Sequence, residues 1–254
     1  MKTKNKSSNQ VLLYGKHPVF SALLNKRREI YQILITKNNQ AELEKFLNQN
    51  KIKIPPALIK IIDNSYLDKV FLKTNFPVRP PHQGFILKTS PLAIIDCDDF
   101  LSDKKSTPNL LILDNLTDPQ NIGSIIRSAA AFGFNKICVN NRNFPFASPA
   151  ISKASSGMLE MVDLIAYYNL NNFLKDLKKL GYWSVGLAGE AKDNLSKAKD
   201  FSPLALVIGS EGDGIRKLVK ENCDLLVKIP MQEGVESLNV ANATAITLYE
   251  LSKK

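Results

Sequence analysis

The sequence predicts an α/β protein whose C-terminal part is a parallel sheet with helices on both faces. Two observations carry that expectation. After Leu110, short apolar runs alternate with stretches of helical spacing. Ten of the 12 glycines follow Leu101, where strands must turn sharply into helices. A third observation sets the front apart: Met1 to Lys53 holds 11 basic and 3 acidic residues, a net +8 out of the chain's +10.

In chain order, a polar lead (Met1–Asn9) precedes the apolar run Val11–Tyr14, a strand ended by Gly15. A short helix is expected from Pro18 to Leu24, a second strand at Ile30–Ile35, and a helix at Ala41–Leu47 with Leu43, Phe46 and Leu47 on one face. A short strand near Ile52, a helix at Ser65–Phe71 and a strand at Phe85–Leu87 complete a small α/β unit. Cys97–Pro108 is polar and ends in proline, which suits a linker. Beyond it, strands are expected at Leu110–Leu113, Lys136–Val139, Val162–Ile165, Trp183–Leu187, Leu204–Ile208 and Leu225–Val227. The continuously apolar runs among them fit strands buried on both faces. Helices are expected at Asn171–Leu180 and at Leu238–Leu251.

Composition narrows the function classes. With 254 residues, 44% hydrophobic and 23% charged, the chain is of ordinary globular character and long enough for one large domain or two smaller ones. No apolar run reaches the roughly 18 residues of a membrane span, and no apolar core follows the basic start as in a secretory signal. Three scattered cysteines (Cys97, Cys138, Cys223) offer neither a disulfide framework nor a metal pair, and with only His17 and His82 no metal site is expected. Reduced cysteines suit a cytoplasmic protein. The basic front suggests a polyanion partner such as RNA or DNA, against the plainer reading of a lysine-rich solvated surface.

Three segments carry candidate chemistry. In Asp114–Arg127, Asp118 suits a helix N-cap and Pro119 the first helical position. Arg127 lies opposite the apolar face of Ile122, Ile125, Ile126 and Ala129, and leans back over Ser124 and Gly123 toward the helix start. That start follows the C-terminal end of a strand, where open α/β sheets bind ligands. In Leu204–Ile215 an apolar strand enters the glycine-rich turn Gly209–Gly214, where Glu211 is placed to hold a cation such as Arg127. Alone, it reads as an ordinary strand-to-helix turn, neither GxGxxG nor a P-loop. In Ile229–Ala243, Ser237 suits the N-cap of a last helix that is apolar nearly all round, so Asn239 and Asn242 are expected as buried amides in need of partners.

Together, N-I-G-S-I-I-R (Asn121–Arg127), I-G-S-E-G-D-G (Ile208–Gly214) and I-P-M…E-S-L-N-V (Ile229–Val240) resemble the SpoU (TrmH-like) family of S-adenosylmethionine-dependent RNA ribose 2′-O-methyltransferases, in the SPOUT superfamily. Tyr14–Val19 and Pro81–Gly84 are similar to the small ribosomal-protein-like substrate-binding domain of members acting on guanosine in 23S ribosomal RNA. The resemblance implies a deep trefoil knot in the C-terminal sheet, a homodimer, and RNA as partner. With the chain's own pattern, it divides the sequence into a disordered lead at 1–9, an RNA-binding domain at 10–95, a linker at 96–108 and a knotted methyltransferase domain at 109–254. It implies S-adenosylmethionine bound at Gly209, Ile229 and Leu238, with Asn121, Arg127, Glu211, Ser237 and Asn239 around the reacting centre. Two other readings stand beside it: a transfer-RNA methyltransferase of the same family, and a non-catalytic RNA-binding or ribosome-assembly module.

Overall fold

The computed structural model of the chain describes residues 10–72, 80–103, 107–146 and 148–253. These fall into two compact units, one drawn from Met1–Ala93 and Ala147–Glu160, the other from Ile94–Phe146 and Met161–Lys254.

The first unit holds a four-stranded sheet. Strands β1 (Val11–Tyr14) and β2 (Ile30–Ile35) flank β4 (Phe85–Thr89) antiparallel, and β3 (Ile59–Ile61) pairs parallel with β2. Because successive strand residues face opposite sides, one face presents Leu13, Ile33, Ile35, Phe85 and Leu87, and the other Tyr14, Leu34 and Ile86. Helices α1 (Lys16–Leu24) and α2 (Gln40–Gln49) cover the first face through Val19, Phe20, Leu43 and Leu47. Helix α3 (Asn64–Leu72) covers the second through Leu67 and Phe71.

The second unit is an eight-stranded sheet in the order β10-β12-β9-β11-β6-β7-β8-β5, parallel at every pairing. The strands are β5 (Ile94–Asp96), β6 (Leu110–Leu113), β7 (Lys136–Asn140), β8 (Asp163–Tyr167), β9 (Trp183–Leu187), β10 (Asp193–Asn194), β11 (Leu204–Ile208) and β12 (Leu225–Lys228). The helices are α4 (Cys97–Ser102), α5 (Pro119–Ala131), α7 (Leu170–Lys179), α8 (Lys217–Asn222) and α9 (Val240–Ser252); α6 (Pro149–Ala154) belongs to the first unit. Every residue of β6 and β11 is buried, as their unbroken apolar sequences require of central strands. Leu110, Ile112, Ala205 and Val207 pack with Phe173, Leu174 and Leu177 of α7 and Val219 of α8. α5 buries Ile122, Ile125, Ile126 and Ala129 and packs against α9. Among the described residues, no helix is long and apolar enough to cross a membrane.

The stretch carrying α6 is secured to the first unit by a buried ion pair. Arg28 and Glu160 are each 2% exposed, joined by Nη2–Oε1 at 2.7 Å and Nε–Oε2 at 3.1 Å. The Asn25 amide donates to the same carboxylate at 2.6 Å, and Arg27 donates to the Glu160 carbonyl at 3.0 Å. Gly157 permits the approach, since a Cβ there would stand 2.4 Å from Ser21 Oγ and 2.9 Å from the His17 carbonyl.

Several expectations are corrected. The strand near Ile52 is absent; the Ile52 amide instead bonds back to the Leu47 carbonyl at 2.9 Å, closing α2, and Pro55 and Pro56 delay the next strand to Ile59. The expected linker opens as helix α4, because Asp96 caps it, Asp98 and Asp99 suit its first turn, and Cys97, Phe100 and Leu101 reach the core. Residues 104–106 of that stretch, and the lead Met1–Asn9, lie outside the described residues. The last helix begins at Val240, two residues later than its apolar pattern suggests.

Replacing Glu160 with alanine leaves the Arg28 guanidinium buried without its counter-charge. The first unit is then expected to lose about 3–5 kcal/mol, measured by urea denaturation. A loss below about 1 kcal/mol is the value of a water-exposed pair and would mean that the Arg28 head group finds solvent.

Candidate active site

Parallel pairing sets the neighbouring ends of β6, β11 and β9 on one edge of the sheet: Leu113 stands opposite Ile208, and Val207 opposite Gly186. The segments leaving those ends are therefore neighbours. After β6, Asp118 accepts from the Gln120 and Asn121 amides at 3.3 and 2.9 Å, capping α5 with Pro119 at its start. The cap fixes Asn121 in the first turn. After β11 the chain turns at Gly209, where a Cβ would lie 2.0 Å from the Gly214 carbonyl carbon and 2.2 Å from the Ile215 nitrogen. Only glycine fits. Ser210 and Gly214 close the turn by exchanging backbone hydrogen bonds of 3.1 and 3.0 Å.

Three sequence-distant polar side chains meet there. Asn121 Nδ2 donates to Glu211 Oε2 at 3.0 Å. Asn239 Nδ2 donates to Asn121 Oδ1 at 3.1 Å and to Glu211 Oε1 at 3.3 Å. Asn239 Oδ1 caps α9, accepting from the Ala241 and Asn242 amides at 3.0 and 3.3 Å. Both amide orientations are thereby set by their partners, and the Glu211 carboxylate receives two donors.

Beside this cluster lies a cavity of about 350 Å³, whose walls come from Leu187–Glu190, Ile208–Ile215 and the chain between Ile229 and Val240. Leu187, Ile208, Ile229 and Leu238 supply apolar walls. The charges on its lining are the carboxylates of Glu190, Glu211, Asp213 and Glu236 and one ammonium, Lys220. Lys220 is paired with Glu190 and holds that carboxyl below its ordinary range. The arrangement suits a ligand with a flat apolar part and net positive charge.

The structure gathers Gly209, Ile229, Leu238, Glu211 and Ser237 at the cavity, and Asn121 and Asn239 at Glu211. Arg127 is not brought to Glu211: it is exposed, and has no ion pair among the described residues. Six residues beyond Asn121 on α5, it stands about 9 Å further along the axis, while Glu211 meets the first turn. Ser237 does not cap the last helix; Asn239 does. Asn239 and Asn242 are exposed, not buried, because they sit at the helix start. Sequence reading passed over Ala188, Gly189 and Glu190. Their signal was position, a glycine-bearing loop at the C-terminal end of a parallel strand.

Comparisons with known proteins show the family. The model of the SpoU rRNA methylase family matches residues 108–249, and that of the RNA 2′-O ribose methyltransferase substrate-binding family matches residues 12–94. The chain is 37% identical over 243 residues to the 23S rRNA (guanosine-2′-O-)-methyltransferase RlmB of Vibrio parahaemolyticus, covering 94% of each. The SpoU methyltransferase AviRb of Streptomyces viridochromogenes, solved with AdoMet, superposes with a TM-score of 0.75 at 22% identity, covering 98% of this chain and 93% of that one. The A. aeolicus TrmH/SpoU tRNA-modifying enzyme superposes with a TM-score of 0.53 at 24% identity, covering 62% of this chain and 83% of that one.

Replacing Gly209 with alanine must push the Gly214 backbone aside. The expected cost is about 1–3 kcal/mol, or about 2–4 °C of melting temperature for each kcal/mol, read by calorimetric melting. An unchanged melting temperature would show that the turn yields freely.

Proposed function

Since the chain belongs to the SpoU rRNA methylase family, we propose that it transfers the methyl group of S-adenosylmethionine to a ribose 2′-hydroxyl of a guanosine in 23S ribosomal RNA. The observation that carries the reading is the convergence of Asn121, Glu211 and Asn239 on the border of a carboxylate-rich cavity. S-adenosylmethionine fits that cavity in character: adenine is flat and apolar, and the sulfonium is cationic. Gly209, Ile229 and Leu238 are assigned to holding it. The SpoU methyltransferase solved with AdoMet shares this chain's fold. A ribosomal substrate is favoured over transfer RNA because the rRNA-named relative matches 94% of the chain, while the solved tRNA-modifying enzyme covers 62%.

S-adenosylmethionine supplies a methyl carbon made electrophilic by the attached sulfonium. Transfer is an in-line displacement, so the protein's share is alignment and exclusion of water. Asn121 and Asn239 hold Glu211 at the cavity rim and restrict its carboxylate to one orientation. Ser237, exposed beside them on the cavity wall, is a hydrogen-bonding group for the incoming ribose. Arg127 offers a planar fork to the target hydroxyl or an adjoining phosphate. It is not the base, since a guanidinium stays protonated.

Further parts of the reading rest on the family. The family match over residues 108–249 supports a trefoil knot in the parallel sheet. Ile246 and Tyr249 on the outward side of α9, 43% and 52% exposed, support a homodimer through that helix. The first unit binds RNA, supported by the substrate-binding family match and by the exposed Lys37, Lys45, Lys51 and Lys53. A ribosomal substrate fits a cytoplasmic enzyme.

The test is transfer of labelled methyl from S-adenosylmethionine to unmodified 23S rRNA and, separately, to bulk tRNA, with the ribose mapped. Methylation of tRNA alone transfers the reading to the tRNA members, and methylation of neither leaves a binding module. Arg127→Ala is expected to keep cofactor affinity and lose roughly a hundredfold in single-turnover rate, the equivalent of about 3 kcal/mol. Arg127→Lys should fail as well, because a point charge does not reproduce the fork. A lysine variant with near-normal turnover would exclude the bidentate role.

Exchanging Lys37, Lys51 and Lys53 for glutamine should weaken RNA binding and flatten its dependence on salt. The slope of log affinity against log salt should fall by about 0.7–0.9 for each phosphate that is no longer neutralised, measured by filter binding across a salt series. An unchanged slope would place the RNA elsewhere.

A further inference from the structure

We propose that the ion pair between Asp114 and Arg216 is a positioning latch, which keeps the glycine turn of the cofactor site in register with the start of α5. Neither residue lies on the cavity or in the Asn121–Glu211–Asn239 cluster. Asp114 is the first residue after β6 and is wholly buried. Arg216 lies two residues after Gly214, the end of the glycine turn, and is the N-cap residue of α8. Its Nη2 and Nε lie 2.6 and 2.9 Å from Asp114 Oδ1, and its backbone amide donates to Oδ2 at 3.2 Å. The Asp114 amide in turn donates to the Ile208 carbonyl at 2.8 Å, and the buried Tyr167 hydroxyl donates to the Leu113 carbonyl at 2.8 Å. The ends of β6, β8 and β11 are thereby tied together by hydrogen bonds beside the Asp114 carboxylate.

The position of the latch gives it its role. Four residues after Asp114 comes Asp118, whose cap fixes Asn121; two residues before Arg216 comes Gly214, which closes the turn carrying Glu211. The latch joins the two backbones whose side chains form the Asn121–Glu211 hydrogen bond. The pair is buried on one side only, Asp114 being wholly covered and Arg216 47% exposed, and the best-attested use of such a buried charge is to select one arrangement among several. A planar guanidinium meeting one carboxylate through two side-chain nitrogens and a backbone amide tolerates little sliding of one loop past the other.

The proposal rests on the methyltransferase reading, and its test separates the two. Arg216→Ala and Arg216→Lys are compared with the parent chain by three measurements: amide exchange of the peptide spanning Gly209–Ile215, S-adenosylmethionine affinity by calorimetry, and single-turnover methylation of an rRNA fragment with both substrates saturating. The alanine variant is expected to speed exchange of the turn at least tenfold while amides of β6 and β7 keep their rates. Cofactor affinity and the saturated rate should each fall at least tenfold, with RNA affinity within twofold of the parent. The lysine variant should fall between them. If turn exchange, cofactor affinity and saturated rate all stay within twofold of the parent in a folded alanine variant, the latch is refuted. If that variant does not fold, the same three results in the lysine variant, whose head group sits at a half-exposed site, refute it equally. A purely structural role would speed exchange in the turn and the core strands together, and that result also overturns it. A parent chain that binds no S-adenosylmethionine overturns the methyltransferase reading, while turn exchange still decides the latch.

Discussion

Parallel pairing of β11 between β6 and β9 is the constraint on which the rest depends. Parallel neighbours end on the same side of a sheet, so segments far apart in the chain leave the sheet side by side. The pairing is buried: β6 and β11 are apolar throughout and covered on both faces, so parting them would expose rows of leucine, isoleucine and valine. With that settled, the segment after β6, the turn after β11 and the loop after β9 have only one place to meet.

What they build there is polar and mutually dependent. Asn239 caps α9 with its oxygen and orders Asn121 and Glu211 with its nitrogen, so one side chain serves the fold and the site together. Asp118 does the corresponding work for α5. Helix starts are natural places for this double use, because their unpaired amides must be satisfied in any case. The cavity beside them is lined by carboxylates in excess over cations, which matches a sulfonium donor better than an anionic nucleotide.

The first unit shows the same dependence on long-range contacts in another form. Its two-faced sheet is built from local sequence, with apolar residues on both sides of β2 and β4. Yet the unit is completed by residues that follow β7 in the chain, held by an arginine and a glutamate 132 positions apart and almost without solvent. Neither residue is conspicuous in the sequence, since Arg28 sits in the basic run Lys26–Arg28 that reads as a solvated surface.

Legible in the chain before any folding were the α/β class, the bounds of β1, β2, β6, β9 and β11, the glycine turn, the cap at Asp118 and the family motifs. Each is written in short stretches of chain, where apolar spacing, proline, glycine and capping residues act on near neighbours. It took the folded chain to show that β5 and α4 belong to the large sheet unit and not to a linker, and that Asn239 rather than Ser237 caps the last helix. The folded chain alone shows that Glu211 binds two asparagines and not Arg127, and that Asp114 faces Arg216. The side-chain pairings turn on which groups 28 to 118 residues apart arrive within 3 Å or so of one another. That distance is set by strand order and register, and the local pattern of a chain carries no record of either.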